Sequence, residues 1–273
     1  MSTATSSSAE IDLTITDGVA EITLNAPQRL NSLGPDGLLA LSDAYAEAER
    51  AGVRAVVLRG EGRAFCAGRD ISGVDPATDD VLGYLEGRLQ PLMEQMTAFP
   101  APTYAVAHGA CLGVGLGLLI ASDVVYVADS AKIGSPFANL GATLDSGGHA
   151  LFFERLGAHR TLDLVYSGRL MTGAEAVRAG LFSQAFPDDE VLERTRAAAR
   201  AAAVGATQAF LASKTLVHEL RDGRIGMWTS MWAENRVQAS LRDTPDYREG
   251  FAAFQEKRTP VFTGEPRAQE AGL

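Results

Sequence analysis

Three stretches of the chain carry residues whose types and spacing could do chemistry. The first is Ala64-Phe65-Cys66-Ala67-Gly68-Arg69-Asp70. The second is His108-Gly109-Ala110-Cys111-Leu112-Gly113-Val114-Gly115-Leu116-Gly117. The third runs Ile133-Gly134-Ser135-Pro136 and then Leu144-Asp145-Ser146-Gly147-Gly148-His149. The first two each follow a β-prone run and lead towards helical material. In open sheets, ligands sit beyond the carboxyl ends of strands, where backbone amides near helix starts converge on an anion. Taken alone, the glycines are weak evidence, because glycine also lets a helix pack tightly on a sheet. Neither stretch spells GxGxxG followed by an acidic residue about 20 positions on, and GxxxxGK[ST] is absent. Dinucleotide and P-loop binding are therefore poor fits.

Asp145 stands before Ser-Gly-Gly at a helix start. Such an aspartate is either a cap, worth about 1 kcal/mol, or a proton carrier. Both roles compete for the same oxygens, so a carboxylate serving a substrate must point away from its own helix. His108 and His149 read as packing residues. Glu154 faces solvent or an arginine. Cys66 and Cys111 have no basic neighbour in sequence and read as small hydrophobes. No HExxH or CxxC spacing is present, so no metal site is expected.

Ile11–Thr16 and Val19–Leu24 alternate around Asp17-Gly18, a hairpin signal. Helical spacing follows over Pro35 to Arg50. Val53–Arg59, Thr103–Ala107 and Val124–Ala128 are apolar strands of the kind covered on both faces. A helix over Val81–Ala98 stops near Pro100, and the glycine turn leads into a helix ending near Ala121. Lys132–Gly148 reads mostly as loop, with helical material over Gly148–Arg155 and Thr161–Ser167. Beyond Thr172 the pattern is helical: Glu175–Gly180, Asp188–Val204, Ala209–Leu220, Arg224–Ala239 and Thr244–Arg258, with one strand near Phe182–Phe186. The expectation is a tail over residues 1–10, an α/β core over 11–200 and a helical region over 201–273.

The 273 residues carry 24 basic and 34 acidic side chains, a formal charge of −10. That balance argues against a nucleic-acid partner. The first ten residues have neither a basic nor an apolar signal region, so they read as a disordered tail and the cytoplasm is the default compartment. Gln95 to Ser122 is uncharged, but Pro100, Pro102 and the glycines break it, so no membrane span is expected.

The chain resembles the crotonase superfamily, the enoyl-CoA hydratase/isomerase group, from about Leu13 to Phe262. The resemblance lies in Leu24-Asn25-Ala26-Pro27-Gln28-Arg29-Leu30-Asn31-Ser32-Leu33, Ala64–Asp70 and the Gly109–Gly117 turn. It continues in Leu170-Met171-Thr172-Gly173-Ala174-Glu175-Ala176 and Phe254-Gln255-Glu256-Lys257-Arg258. It implies an α/β fold of repeated β-β-α units with a helical C-terminal region that completes the site. It also implies trimers, or dimers of trimers, acting on acyl-CoA thioesters. No prosthetic group is implied; coenzyme A enters as part of the substrate. The rival fold, a Rossmann-type domain with a helical cap, lacks its fingerprint here.

By the same resemblance, the backbone N–H groups of Arg69 and Val114 hold the thioester oxygen as it becomes an enolate. The Arg69 side chain itself reads as a solvated guanidinium near the site mouth. Hydratases of this group use two glutamates at the positions of Gly117 and Phe137, and neither residue here can move a proton. Another acid position of the group falls on Asp145, as in ring-epoxide isomerases and dienoyl-CoA isomerases. The resemblance places Arg29 near the CoA phosphates and Ala64, Ala67 and Asp70 in the adenine-side loop. Phe254 and Lys257 would reach the nucleotide, often from a neighbouring subunit. The expected activity is double-bond isomerisation, or rearrangement of an aromatic ring epoxide. The alternatives are a hydratase with an atypical base and a non-catalytic CoA-thioester binder. Dehalogenation fits less well, since no histidine lies between Asp70 and Ala107.

Overall fold

The computed structural model describes residues 4–7, 10–205, 207–222 and 227–261. Its strands are β1 (Ala4–Ser7), β2 (Ile11–Thr16), β3 (Val19–Leu24), β4 (Ala55–Gly60), β5 (Thr103–Ala107), β6 (Ala110–Leu112), β7 (Val124–Ala128), β8 (Lys132–Gly134), β9 (Met171–Thr172) and β10 (Gln184–Phe186). The helices begin with α1 (Pro35–Arg50), α2 (Val81–Tyr84) and α3 (Gln90–Thr97), the last two joined through a wide turn over Leu85–Leu89. They continue with α4 (Val114–Ile120), α5 (Gly148–Ser167), α6 (Gly173–Arg178), α7 (Val191–Ala203), α8 (Thr207–Asp222), α9 (Met227–Leu241) and α10 (Pro245–Gln255).

The Asp17-Gly18 turn takes positive φ at both residues, +50° and +78°, as a two-residue hairpin turn requires. β2 and β3 pair antiparallel across it, Thr16 opposite Val19. From β3 onward the main sheet is parallel, in the order β1-β2-β3-β4-β5-β7-β10. Val56, Val57 and Leu58 are fully buried, as a strand covered on both faces must be. Helix α7 packs on β4, β5 and β7, while α1 packs on β2 and β3.

After β4 the chain winds in repeated turns. Each turn takes one strand of the main sheet, one short inner segment and one helix: β5–β6–α4, then β7–β8–α5. The first turn follows the same plan, with β4, a bridge at Cys66, then α2 and α3. The inner segments stack in parallel, Cys66 beside Cys111 and Cys111 beside Ile133. This is the repeated β-β-α fold that the resemblance implies.

Three expectations need correction. Ala4–Ser7, read as part of a disordered tail, pairs antiparallel with β2, Ala4 opposite Ile15. Strand β2 offers an open edge ladder there. The glycine turn and the Lys132–Gly148 loop contain β6 and β8, and β9 pairs antiparallel with β8. Each is two or three residues long, too short to show alternation. The helical stretches Gly148–Arg155 and Thr161–Ser167 are present in α5 as expected, one on each side of Gly157, where φ +75° interrupts the helix. The boundary placed at residue 200 falls inside α7, which belongs to the core. Residues 1–3 and 8–9 of the tail, the helix start at Arg224 and the end of the resemblance at Phe262 lie outside the described residues.

The C-terminal helices return to the core. Gly250 of α10 lies on the backbone of Leu140, and Gly141, at φ +65°, lies on the backbone of Asp246 and Tyr247. A side chain at either glycine would separate α10 from the Phe137–Leu140 turn.

Candidate active site

The Ala64–Arg69 segment runs beside His108–Leu112. Phe65 N–H donates to His108 O at 2.8 Å, Cys66 N–H to Ala110 O at 3.0 Å, and Leu112 N–H to Cys66 O at 3.0 Å. On its other side, Leu33 N–H donates to Gly68 O at 2.9 Å and Asp70 N–H to Leu33 O at 3.2 Å. Within this bonded frame the Arg69 N–H has no partner among the described residues. Val114 opens α4 after Gly113, which adopts φ +52° and ψ −116°. A first helical residue has no carbonyl to donate to within its helix, and the Val114 N–H has no other partner among the described residues. A Cβ added to Gly68 would lie 3.0 Å from Leu112 O and 3.7 Å from Val114 N. Glycine at 68, with φ +106°, therefore lets two unengaged donors lie on touching segments.

Asp145 is buried, and Ser146 Oγ donates to its Oδ1 at 2.7 Å. The cap position of α5 falls on Gly147, and no side chain caps that helix. Asp145 meets the helix through its carbonyl, which accepts from Gly148 N–H at 2.9 Å. Ser146 seats this corner against α4: a Cβ on Gly117 would stand 2.6 Å from Ser146 Cβ and 3.3 Å from Met93 Sδ. The ring of Phe137 lies on Gly113, 3.0 Å from where its Cβ would be.

The Arg69 side chain is not solvated. Its guanidinium makes a two-pronged bond to Asp79, Nη1 to Oδ2 at 2.8 Å and Nη2 to Oδ1 at 2.5 Å. It also lies 4.3 Å from the centroid of the Tyr84 ring. Burial disfavours its charge, but the bonds and charge of Asp79 outweigh that and raise its pKa above the ordinary value. Tyr84 and Tyr247 are buried phenols, and burial raises both pKa values, so both stay neutral. Tyr84 lies against Arg69, and the buried Tyr247 stacks on Phe251 of α10, with ring centroids 4.6 Å apart. Asp79, Tyr84 and Tyr247 were not legible as site residues. An aromatic at helical spacing reads as core and a loop aspartate as solvated, and no pattern in the sequence links either to Arg69.

Cys66 and Cys111 are buried free thiols. Burial pushes the Cys66 thiol up to about 12 and Cys111 well above its usual value, so both act as small hydrophobes. His108 Nε2 contacts Gly62 O at 3.1 Å, and burial lowers its pKa, in keeping with a packing role. Among the described residues, no cluster of His, Cys, Asp or Glu could hold a metal.

The residues expected to meet CoA are partly gathered. Ala64 is buried and its carbonyl accepts from Asn31 Nδ2 at 2.7 Å, while Ala67 N–H donates to Leu30 O at 2.9 Å. Arg29 pairs with Glu10 and lies 3.5 Å from Asp70, so those carboxylates already face its charge. Phe254 and Lys257 stand exposed at the end of α10. No hydrogen bond or ion pair joins either one to Arg29, Ala64 or Ala67.

A parallel core of repeated β-β-α turns, with two unengaged amides and a buried aspartate at its inner edge, defines a class that comparison with known proteins identifies. The family model described as enoyl-CoA hydratase/isomerase matches residues 14–265, and the chain belongs to that family. It is 34% identical over 250 residues to a probable enoyl-CoA hydratase of Rhodobacter capsulatus, covering 92% of this chain and 96% of that one. It is 31% identical over 252 residues to the 1,2-epoxyphenylacetyl-CoA isomerase of Escherichia coli, covering 90% and 95%. Among solved structures, an enoyl-CoA hydratase from Mycobacterium avium subsp. paratuberculosis superposes with a TM-score of 0.82 at 29% identity, covering 94% of this chain and all of that one.

Proposed function

We propose that the chain is an acyl-CoA isomerase that works through a thioester enolate with Asp145 as its acid and base. Family membership supports an acyl-CoA thioester as substrate, with coenzyme A as its handle and no resident prosthetic group. The observation that carries the reading is the Gly117–Ser146 contact. The space where a hydratase would carry one carboxylate is filled by Ser146, and the buried carboxylate next to it is Asp145. Phe137 occupies the other position with an apolar ring.

The α-proton of a thioester is weakly acidic, and negative charge grows on its oxygen as the proton leaves. The N–H groups of Arg69 and Val114 would receive that charge, a role worth several kcal/mol for preorganised donors. Asp145 would take a proton from C2 or C4 and return it at the other carbon, which one base on one face of a dienolate can do. Hydration instead needs a delivered water and a second proton carrier. The same carboxylate would assist proton movement in a ring-epoxide rearrangement, the reaction named for the Escherichia coli relative. The ring of Phe137 suits a bulky or aromatic acyl group. We place Arg29, Ala64, Ala67 and Asp70 along the nucleotide and propose a trimer or dimer of trimers, in which the exposed Phe254 and Lys257 meet the nucleotide of a neighbouring subunit.

The test incubates 3-enoyl-CoA, 2-enoyl-CoA and aromatic epoxide CoA esters with the protein in D₂O and follows products by mass. Isomerisation with deuterium uptake is expected. Asp145→Asn is expected to lower kcat on the order of 10²-fold or more, with CoA-ester binding largely kept. A second reading, hydration by an atypical base, is favoured by the name of the Rhodobacter capsulatus relative. Rapid hydration of 2-enoyl-CoA, without isomerisation and unaffected by Asp145→Asn, would establish it and reject the isomerase. Binding of every ester without turnover would leave a CoA-thioester-binding protein.

A further inference from the structure

Arg69 sits where the main chain has little ladder to hold it. Among the described residues its one strand-like contact is an isolated bridge to Leu33, and Gly68 just before it takes a conformation open to few other residues. The backbone is thus held through the residues on either side of Arg69, Gly68 O and Asp70 N–H, while the Arg69 N–H itself is left unengaged among the described residues. Its side chain supplies an anchor. The guanidinium is gripped at both ends by Asp79, whose carboxylate is only 5% exposed. Below it lies the ring of Tyr84, and the Tyr84 OH donates to Leu33 O at 2.8 Å. That same carbonyl accepts Asp70 N–H. Asp79 is itself tied down, since its carbonyl accepts from Arg242 Nη1 at 2.8 Å, just past the end of α9. The loop carrying Asp79 has a further tie, Gln255 Nε2 to Val74 O at 2.9 Å.

We infer that Asp79 is a positioning residue for the oxyanion donor: by holding the Arg69 guanidinium it sets where the Arg69 N–H points. The inference rests on the reading of Arg69 and Val114 as donors to a thioester oxygen. A two-pronged guanidinium–carboxylate bond fixes direction as well as distance, which a single contact does not. Oxyanion stabilisation depends on donor placement at the scale of an ångström or less. Through Arg242, the C-terminal helices share in the same placement.

The experiment binds 2,4-hexadienoyl-CoA, a conjugated thioester that absorbs at longer wavelength when its carbonyl is polarised. The wild type is expected to shift the spectrum to the red. Asp79→Asn is expected to lose about half of that shift or more and to isomerise 3-enoyl-CoA on the order of tenfold more slowly, while affinity for the ester changes less than about threefold. Asp79→Glu, which keeps a carboxylate, is expected to recover part of both. A full red shift in folded Asp79→Asn overturns the inference, whatever its melting temperature, because a purely structural ion pair would change stability alone. Should Asp79→Asn not fold, Arg69→Lys retains the charge without the two-pronged grip and is read in the same way. Absence of any shift in the wild type overturns the reading of Arg69 and Val114 as donors, and this inference with it.

Discussion

A Cβ added to Gly117 would stand 2.6 Å from Ser146 Cβ, closer than real side chains approach. Ser146 itself holds φ +55°, a conformation costly for any residue but glycine, and Gly147 follows at +79°. The corner that presents Asp145 is thus pressed onto α4 at Gly117. Gly117→Ala is expected to destabilise the fold by about 1–3 kcal/mol through overpacking, read by chemical denaturation. Adding Ser146→Gly is expected to recover most of that loss, because glycine removes the opposing Cβ and accepts the positive φ. Equal denaturation midpoints for Gly117→Ala and the wild type would show that the corner yields freely.

At the scale of elements, α7 is fastened across the sheet by charge as well as by apolar packing. Glu21 of β3 accepts from Arg59 Nε of β4 and from Arg196 Nε and Nη2 of α7, each at 2.7 Å. Burial alone would raise the Glu21 pKa, but the bonds and charges of Arg196 and Arg59 outweigh it, and the pKa lies below its usual 4.5. A carboxylate whose folded pKa is depressed adds stability above its unfolded pKa and loses it as pH falls through the folded value. Glu21→Gln is therefore expected to destabilise at pH 7 by about 1 kcal/mol, after allowance for solvent screening. The difference from wild type is expected to shrink as pH drops below 4.5. Urea denaturation at several pH values checks this, and a pH-independent difference would mean that the glutamate acts by packing alone.

Across the whole molecule, the C-terminal helices bury some of their large apolar side chains and leave others out. Met227, Met231 and Phe251 are buried, whereas Phe210, Leu216, Val217, Trp232 and Phe254 are exposed. A cavity of about 620 Å³ opens between α7 and α8, lined by Tyr104, Phe210, Leu211 and Val217 among others. Apolar surface gathered in this way marks an interface more often than a free surface. No helix among the described residues is long and apolar enough to cross a membrane. Light scattering at micromolar concentration is expected to give three or six times the mass of one chain. A single-chain mass would remove the proposed contribution of Phe254 and Lys257 to a neighbour's site.

Local order was legible because covalent neighbours carry it. The alternation of Ile11–Thr16 and Val19–Leu24 around Asp17-Gly18, the apolar runs of β5 and β7, and the helical spacing of α1 and α7 each need only a few consecutive residues. The glycines at 68 and 113 and the missing carboxylates at 117 and 137 were visible too, and with them the family. The inner strands β6, β8 and β9 were not, since two or three residues carry no period of their own. The role of Asp145 also stayed open, because a cap and a proton carrier have the same local sequence. Tertiary structure put Gly147 at the helix cap and Asp145 two residues before it, and it brought Ser146 onto Gly117. It alone joined Arg69 to Asp79 and set Tyr84 beside them. Such contacts join segments far apart along the chain, and they form only when the stacked β-β-α turns and the returning C-terminal helix bring those segments together.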